Sequence, residues 1–340
     1  MPEHVAGGSG VDLISAPLAP DVEPTFRPTR DGRFDESAIE PSRPVWFFEW
    51  PPPPWLLRRK EARVIWSPMW DWSRGLSQRW WNALPKTLRI VAFSRRIAVR
   101  ARRAGLPTLD LQYFKDPDLF APADWTHGRV MMYWNRTGMV GPQFLEKLCA
   151  ALRIDLLLFR GDLAYGWHRE VGYELGDRLG DTLVRRVPAF ATREEYLAFT
   201  KDVNVYLAPR VREGVGMLFL EAMARGCAVI GHDAPTMSEY ITHGVTGVLV
   251  GRGVPFATRA LRHARWLLSL QHVCTPPPFR PHLGERQDWD ALGRLDLAGL
   301  GRAAREAHRA GYRAWLARLP EYRRFISCWD HSSAQEQGGA

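Results

Sequence analysis

Two glutamates eight residues apart, Glu213 and Glu221, flank the glycines Gly214 and Gly216 at the start of a predicted helix. An apolar strand that ends at Pro209 precedes them. Glycine lets a ligand approach the backbone closely, and the free amides and positive dipole of a helix start favour an anion. Glu221 lies roughly 7 Å along the helix from Gly216, a spacing that suits a carboxylate binding ribose hydroxyls beyond a diphosphate. The pattern predicts a nucleotide site.

A structural alternative exists for the same residues. Glu221 and Arg225 are four residues apart and could form an ion pair at the edge of a core helix, with the glycines acting as ordinary turn residues. The helix from Met217 is apolar nearly all round, which predicts that it is buried. We favour a ligand site because the whole arrangement follows a strand, and ligand crevices in α/β sheets lie at the carboxyl ends of strands.

The elements that must position this site alternate between strand and helix, which predicts a doubly wound α/β fold. In the first half we expect strands at 45–48, 63–66, 88–93 and 108–111, with a helix at 95–104. In the second half we expect strands at 129–134, 155–159, 182–187, 203–208, 228–230 and 247–250. The helices between these are predicted at 143–152, 193–200, 216–225 and 236–243, with Thr192 and Glu195 forming a capping box.

The changes of composition along the chain predict five regions. Residues 1–43 form a disordered or loosely packed tail, 44–122 a small first domain and 123–274 a larger second domain. Residues 275–330 hold a Pro-rich linker and a basic amphipathic helix at about 300–318, and 331–340 form a second tail.

Residues 203–250 resemble the donor domain of retaining GT-B glycosyltransferases, especially family 4 (glycosyl transferases group 1). The resemblance rests on the E-x7-E segment of Glu213 and Glu221, followed by Glu239, Gly244 and Gly247. It implies a GT-B-like α/β fold of two Rossmann-like doubly wound domains, with the N-terminal domain reduced to about four strands. It further implies metal-independent transfer of a sugar, with retention, from a nucleoside diphosphate sugar to a glycan or lipid-linked acceptor.

The resemblance also implies roles for individual residues. Glu213 would approach the transferred sugar as a catalytic residue, and Glu221 would hold the ribose. The donor-binding backbone would comprise Gly214, Val215, Gly216, Met217 and Leu218, and Pro188 is assigned to the same donor site.

The sequence departs from the family at the diphosphate clamp. Arg136 matches the family's arginine, but 140–142 stand where a lysine is expected. Arg160, at the end of a predicted strand, could replace that lysine as a catalytic cation or could simply cap a strand end at the surface. In addition, Pro235 and Thr236 replace the family's glycine pair.

The formal charge of +9 and the isoelectric point near 9.7 predict a surface that attracts anions. Arginines of the predicted helix 95–104 follow closely after five tryptophans, an arrangement that suits a peripheral contact with an anionic membrane. The tryptophans are Trp66, Trp70, Trp72, Trp80 and Trp81. The alternative is a solvated basic face over an aromatic core. No recognised nucleic-acid module is present, so we do not expect nucleic acid as a partner.

Other sequence features favour a cytoplasmic protein, peripheral on the inner face of the membrane if the lipid contact exists. The four cysteines form no CxxC pair, and the N-terminus does not have the pattern of a signal peptide. The histidines show no metal-ligand spacing, and Asp116/Asp118 and Asp288/Asp290 are interpreted as accidental D-x-D pairs. No metal and no cofactor are therefore expected.

Two other functions remain open. The missing lysine and the small first domain are compatible with a protein that binds a nucleotide sugar without transferring it. A GT-B-like epimerase that acts on the nucleotide sugar itself is the third hypothesis.

Overall fold

The computed structural model describes residues 43–135, 140–161, 175–188, 190–208, 213–250 and 288–329. The chain divides into two compact units. The N-terminal unit comprises Met1–Phe114 with Gly311–Ala340, and the central unit comprises Lys115–Ala310.

The N-terminal unit contains a parallel sheet of four strands in the order β1-β2-β3-β4, which confirms the parallel sheet expected in the first half. The strands are β1 Val45–Glu49, β2 Val64–Pro68, β3 Arg89–Ala92 and β4 Thr108–Asp110. The helices are α1 Pro54–Leu57, α2 Trp70–Ser73, α3 Gln78–Asn82 and α4 Arg95–Arg103. Sequence periodicity predicts α4 but not α1 to α3, because a helix of one turn is too short to show a 3.6-residue repeat.

Tryptophan fills the core of the N-terminal unit. Trp66 and Trp81 are both fully buried, and their rings stack with centroids 5.4 Å apart. Ile90 of β3 and Ile97 of α4 belong to the same cluster of buried residues. The aromatic core that was the alternative to a lipid-binding surface is therefore present for these two tryptophans.

The central unit contains a sheet of seven strands in the order β11-β10-β9-β5-β6-β8-β7. The strands are β5 Val130–Asn135, β6 Leu156–Gly161, β7 Arg178–Leu179, β8 Thr182–Arg186, β9 Val205–Leu207, β10 Ala228–His232 and β11 Val248–Val250. All neighbouring pairs are parallel except β7 with β8. The α/β fold with alternating strands and helices is confirmed for these residues.

The helices of the central unit lie between and after these strands in sequence. They are α5 Pro142–Leu152, α6 Arg193–Phe199, α7 Met217–Arg225, α8 Met237–Tyr240, α9 Trp289–Gly293 and α10 Leu297–Ser327. Residues of α10 up to Ala310 belong to the central unit and the rest to the N-terminal unit. Half of the predicted capping box forms at α6: the amide of Glu195 donates to the Thr192 hydroxyl over 3.2 Å, while the Glu195 carboxylate accepts from the amide of Ala191 over 2.9 Å.

Most predicted elements differ from the structure by one or two residues at an end, and three predictions differ by more. The helix expected at 236–243 ends at Tyr240, and the helix expected at 300–318 extends over Leu297–Ser327. Part of the expected linker, Trp289–Gly293, is a short helix whose first turn is capped by Asp288, while 251–287 lie outside the described residues. No helix of the described chain is long and apolar enough to cross a membrane.

The order of the strands reverses between β5 and β9. From β5 the chain continues outward to β6 and β8, and then returns to place β9 on the other side of β5. In open α/β sheets, ligands bind at such a switch point, outside the carboxyl ends of the two strands. The segment after β9 contains the predicted glutamate and glycines, and Arg136 follows the last residue of β5 in sequence.

Candidate functional site

The buried hydroxyl of Thr236 binds the backbone of the segment that precedes α7. The side chain of Thr236 is fully buried, and its Oγ1 lies 2.7 Å from the carbonyl oxygen of Glu213 and 2.8 Å from that of Gly214. Gly214 is buried, whereas Glu213 is partly exposed. Thr236 therefore holds the backbone on which Glu213 is mounted, at one of the two positions where the sequence departs from the family's glycine pair.

Gly216 is the N-cap of α7 and has a left-handed backbone with φ of 77°. A Cβ at this position would lie 1.9 Å from the ring of Phe219, which packs against one side of the glycine. Only glycine fits here, because an L side chain disfavours this backbone and the Phe219 ring occupies the space. The glycine is thus required by packing, independently of any ligand.

The start of α7 keeps the features predicted for an anion site. No side chain caps the helix, and Gly216, Met217 and Leu218 are partly exposed. The first amides of a helix have no acceptor within the helix, so they are available to a phosphate. Val215, by contrast, is buried.

Glu221 lies in the first turns of α7 and is only 3% exposed. Its Oε2 lies 3.2 Å from the Nζ atom of Lys115 and 3.7 Å from a guanidinium nitrogen of Arg193. Its other oxygen, Oε1, is buried and has no hydrogen-bond partner among the described residues. The carboxylate is therefore held by cations on one oxygen only.

The expected alternative, an ion pair between Glu221 and Arg225, is not what the structure shows. Arg225 is buried and donates to the carbonyl oxygens of Thr200 and Lys201 over 2.7 and 2.8 Å. These acceptors lie just beyond the last residue of α6, Phe199. Arg225 therefore fastens α7 to the segment after α6, and Lys115 and Arg193 take the place of Arg225 beside Glu221.

We refer to Glu221, Lys115, Arg193 and Phe120 as the Glu221 cluster. The Phe120 ring is buried, with the Lys115 Nζ atom 5.8 Å and the Arg193 Cζ atom 5.6 Å from its centroid. Both distances are within the range of cation–π attraction. Sequence analysis did not identify Lys115, because it lies 106 residues before Glu221 and no local pattern connects the two.

The backbone of Lys115 is held by a histidine of α10. His308 is fully buried, and its Nε2 lies 2.8 Å from the carbonyl oxygen of Lys115. A carbonyl only accepts, so Nε2 carries the proton. Burial lowers the pKa of His308 to about 4, so the ring is neutral at pH 7.

Arg160 is near the carboxyl end of β6, the strand next to β5. Its guanidinium carbon lies 4.2 Å from the centroid of the Trp134 ring, and the two residues are direct neighbours in the β5–β6 register. A guanidinium stacked on a ring retains N–H groups at its edges that can donate to phosphate. Arg136 lies outside the described residues, and Pro188 is exposed, two residues beyond β8.

His232 ends β10 and is 3% exposed, with no hydrogen-bond partner for Nε2 among the described residues. Burial lowers the pKa of His232 to about 4. His232 therefore lies buried at the carboxyl end of β10, and its lowered pKa keeps the ring neutral at pH 7.

The first aspartate of each D-x-D pair caps a short helix, Asp116 a 3-10 turn at Pro117–Leu119 and Asp288 the helix α9. Asp116 accepts from the amide of Asp118, and Asp288 accepts from the amide of Ala291. Within the described parts of the chain, no group of three or more His, Cys, Asp or Glu side chains is placed to hold a metal ion.

The family comparison bears on the segment just described. The family model described as "Glycosyl transferases group 1" matches residues 186–274, which include the loop after β9, α7 and the strands β10 and β11. Over these residues the chain resembles the glycosyl transferases of group 1. This match supports glycosyl transfer as the general activity, and the predicted α/β architecture with a parallel sheet in each half of the chain is confirmed apart from the antiparallel β7.

Several solved structures are similar to this chain. They include sucrose-phosphate synthase from Thermosynechococcus elongatus, with 18% identity, a TM-score of 0.48, and 79% of this chain and 69% of that chain covered. A glycosyltransferase from Rickettsia africae is 14% identical, with a TM-score of 0.49 and coverage of 78% and 71%. Anabaena HepE in complex with UDP-glucose is 14% identical, with a TM-score of 0.47 and coverage of 77% and 72%. No curated protein sequence matches the chain.

Proposed function

We propose that the protein is a retaining, metal-independent glycosyltransferase that uses a nucleoside diphosphate sugar. One observation carries the proposal: the segment with Glu213 and Glu221 begins at the strand β9, where the strand order reverses beside β5. The switch point of such a sheet is where a nucleotide is expected, and the free amides of α7 open onto it. The same segment matches the group 1 family model.

The proposed reaction breaks the bond between the anomeric carbon and the diphosphate and forms a bond to the acceptor hydroxyl on the same face of the sugar. Negative charge develops on the departing diphosphate, and fixed donors stabilise it. The amides of Gly214–Leu218 supply such donors. Arg136 and Arg160 supply positive charge in place of the family's arginine and lysine, and Glu213 orients the sugar. The leaving phosphate accepts the acceptor proton, so no separate base is assigned.

The stacked geometry of Arg160 supports this substitution. Trp134 restricts the guanidinium at the end of β6, one strand from the switch point, so less side-chain freedom is lost when a phosphate binds. An arginine that merely covers a strand end would not need this support. Pro188, which follows β8 at the same edge of the sheet, is proposed to contribute to the donor site as an apolar neighbour of the nucleotide.

Turnover of a donor panel tests the proposal. Purified protein is incubated with UDP-, GDP- and ADP-sugars in the presence of a chelator, and released nucleotide and the anomeric configuration of the product are measured. Nucleotide release with retained configuration supports the proposal. Tight binding without turnover would favour the non-transferring protein, and isomerisation of the donor sugar would favour the epimerase.

The acceptor is proposed to be a glycan or lipid-linked glycan at the cytoplasmic face of a membrane, because positive charge is concentrated in the described part of the N-terminal unit. Residues 43–114 and 311–329 contain eighteen Lys and Arg but five Asp and Glu, a formal charge of +13, whereas residues 1–42 and 330–340 of the same unit contain three Lys and Arg and ten Asp and Glu, a formal charge of −7. The segment 50–60 combines Trp50, which is 58% exposed, with the exposed Arg58, Arg59 and Lys60. Aromatic rings beside basic side chains suit an anionic lipid surface.

Vesicle sedimentation tests this contact. We expect binding to vesicles that contain anionic lipid and not to vesicles of phosphatidylcholine alone. Reversing the charge of Arg58, Arg59 and Lys60 together should remove most of the binding, since each basic residue contributes about 1 kcal/mol near such a surface. The control is Lys147→Glu, an exposed lysine on α5. Equal binding by the triple variant, or binding of RNA in place of vesicles, would contradict the lipid contact.

A further inference from the structure

We propose that Lys115 and Arg193 are positioning residues that fix the Glu221 carboxylate so that its Oε1 atom accepts hydrogen bonds from the ribose of the donor. This inference rests on the proposed function and names the feature that would make the site select ribonucleotides. Neither cation belongs to the segment with the two glutamates.

Both cations approach the same carboxylate oxygen of Glu221. Lys115 lies 3.2 Å and Arg193 3.7 Å from Oε2 of Glu221. The buried Phe120 ring lies within 6 Å of both cationic groups, at 5.8 and 5.6 Å, and so restrains them on one side. The carboxylate therefore cannot rotate to share these partners between its two oxygens without losing the closer one.

The other carboxylate oxygen of Glu221, Oε1, has a different environment. This oxygen is buried and has no hydrogen-bond partner among the described residues, although a carboxylate oxygen has two lone pairs to satisfy. A buried acceptor without a partner is unfavourable, and native sites with one commonly bind a ligand or water there. A ribose supplies two adjacent hydroxyl donors. Glu221 also stands one turn beyond the amides proposed to bind the diphosphate, which is where the ribose of the same nucleotide would lie.

Lys115 is itself held in place. Its side chain is 5% exposed, and its carbonyl oxygen accepts from Nε2 of His308 over 2.8 Å. A long lysine side chain loses much conformational freedom when it is fixed, and this contact fixes its backbone in advance. An ion pair on the solvent-exposed surface would not need its lysine to be fixed in this way.

Binding of paired nucleotides tests the inference. The nucleoside diphosphate that binds most tightly among UDP, GDP and ADP is compared with its 2′-deoxy and 3′-deoxy forms by calorimetry. In the wild-type protein we expect the ribonucleotide to bind about tenfold or more tightly than the weaker deoxy form, the loss expected for one hydrogen bond to a charged group. In Lys115→Met this ratio should fall to about threefold or less.

Two further variants make the result decisive. Arg193→Met removes the second cation at a position that is 36% exposed, so it should fold even where Lys115→Met does not, and its ratio should also fall. Lys147→Met, at an exposed position of α5, is the matched control and should keep the wild-type ratio. Thermal unfolding of each variant separates loss of fold from loss of discrimination.

The outcomes distinguish the inference from the proposed function. If the wild-type protein binds none of the nucleotides, the proposed function fails and this inference fails with it. Binding without discrimination between ribose and deoxyribose would leave the donor site standing but overturn the role of Glu221 and its two cations. Wild-type discrimination that persists unchanged in a folded Lys115 or Arg193 variant would overturn the positioning role alone.

Discussion

The hydroxyl of Thr236 lies 2.7 Å from the carbonyl oxygen of Glu213. This bond, together with the 2.8 Å contact to Gly214, connects the turn before α8 to the loop after β9. A residue that departs from the family's glycine pair thus supports the backbone of the glutamate expected to orient the sugar. The bond also offers a way to change the position of Glu213 without altering its side chain.

Thr236→Val should loosen this loop. The valine has the same shape but donates no hydrogen bond, so the carbonyl oxygens of Glu213 and Gly214 lose the one hydroxyl hydrogen that they share, at a cost of about 1–3 kcal/mol. We expect a lower midpoint of thermal unfolding and a higher KM for the donor. Thr242→Val, at an exposed threonine of the same unit, serves as the control. An unchanged midpoint and KM would show that the bond contributes nothing measurable.

Glu213→Ala should reduce turnover by about 100-fold or more, because a group that orients the sugar acts most strongly in the transition state. The fold should be unaffected, since Thr236 contacts the backbone of residue 213 and not its side chain. Steady-state rates and thermal unfolding check both statements. Glu146→Ala, at an exposed position on α5, should retain full activity. Wild-type turnover in Glu213→Ala would remove the sugar-orienting assignment.

Gly216→Ala should destabilise the central unit by about 2–4 kcal/mol, through a left-handed backbone and a clash with the Phe219 ring. The matched control is Gly141→Ala at the N-cap of α5, where φ is −72° and a Cβ would meet nothing within 4 Å. Denaturant unfolding of the two variants gives the comparison. Equal stabilities would mean that the helix start adapts more readily than its packing implies.

Acid should destabilise the fold through two buried histidines. Burial lowers the pKa of His232 and of His308 to about 4, so the unfolded chain takes up protons that the folded chain excludes as the pH falls below about 6.5. Stability from this source is complete above that pH and is lost progressively down to about pH 4. Each histidine should account for about 2 kcal/mol between pH 7.5 and pH 5.

Denaturant unfolding at these two pH values measures the loss. His232→Gln should lose less stability on acidification than the wild type, because one of the two groups no longer titrates. His127→Gln, at a histidine whose side chain is 79% exposed, is the control. The same acid loss in His232→Gln and wild type would contradict the assignment of a buried neutral ring.

Local patterns predicted the strand β9, the glycine-led helix α7 and the strands that flank them, because each depends on residues close together in sequence. The Glu221 cluster could not be predicted in this way. Lys115 reaches Glu221 only once the chain has folded, and the residues around position 115 form no pattern that points to a distant glutamate. The structural alternative, an ion pair between Glu221 and Arg225 at i,i+4 spacing, is not what the structure shows, because the arginine donates to the carbonyl oxygens of Thr200 and Lys201.

The site itself was predicted unevenly. The amides from Gly214 to Leu218 lie together at the start of α7 as the pattern requires, and the departure at Pro235 and Thr236 was visible in the sequence without its consequence. Arg160 was identified at a strand end, but its stacking on Trp134 depends on the β5–β6 register, which sequence alone does not specify. The roles of all the site residues remain predictions, namely those of Arg136, Arg160, Pro188, Glu213, Glu221 and the backbone of Gly214–Leu218.

Hydrogen exchange of the wild-type protein tests the central claim most directly, namely that a nucleotide's phosphates bind the amides at the start of α7. Exchange is followed by mass spectrometry with and without a saturating nucleoside diphosphate, chosen by calorimetry. The account predicts slower exchange in peptides that cover residues 213–220, while peptides of the N-terminal unit such as 95–103 are unchanged. Saturated binding with no protection at 213–220 would contradict it.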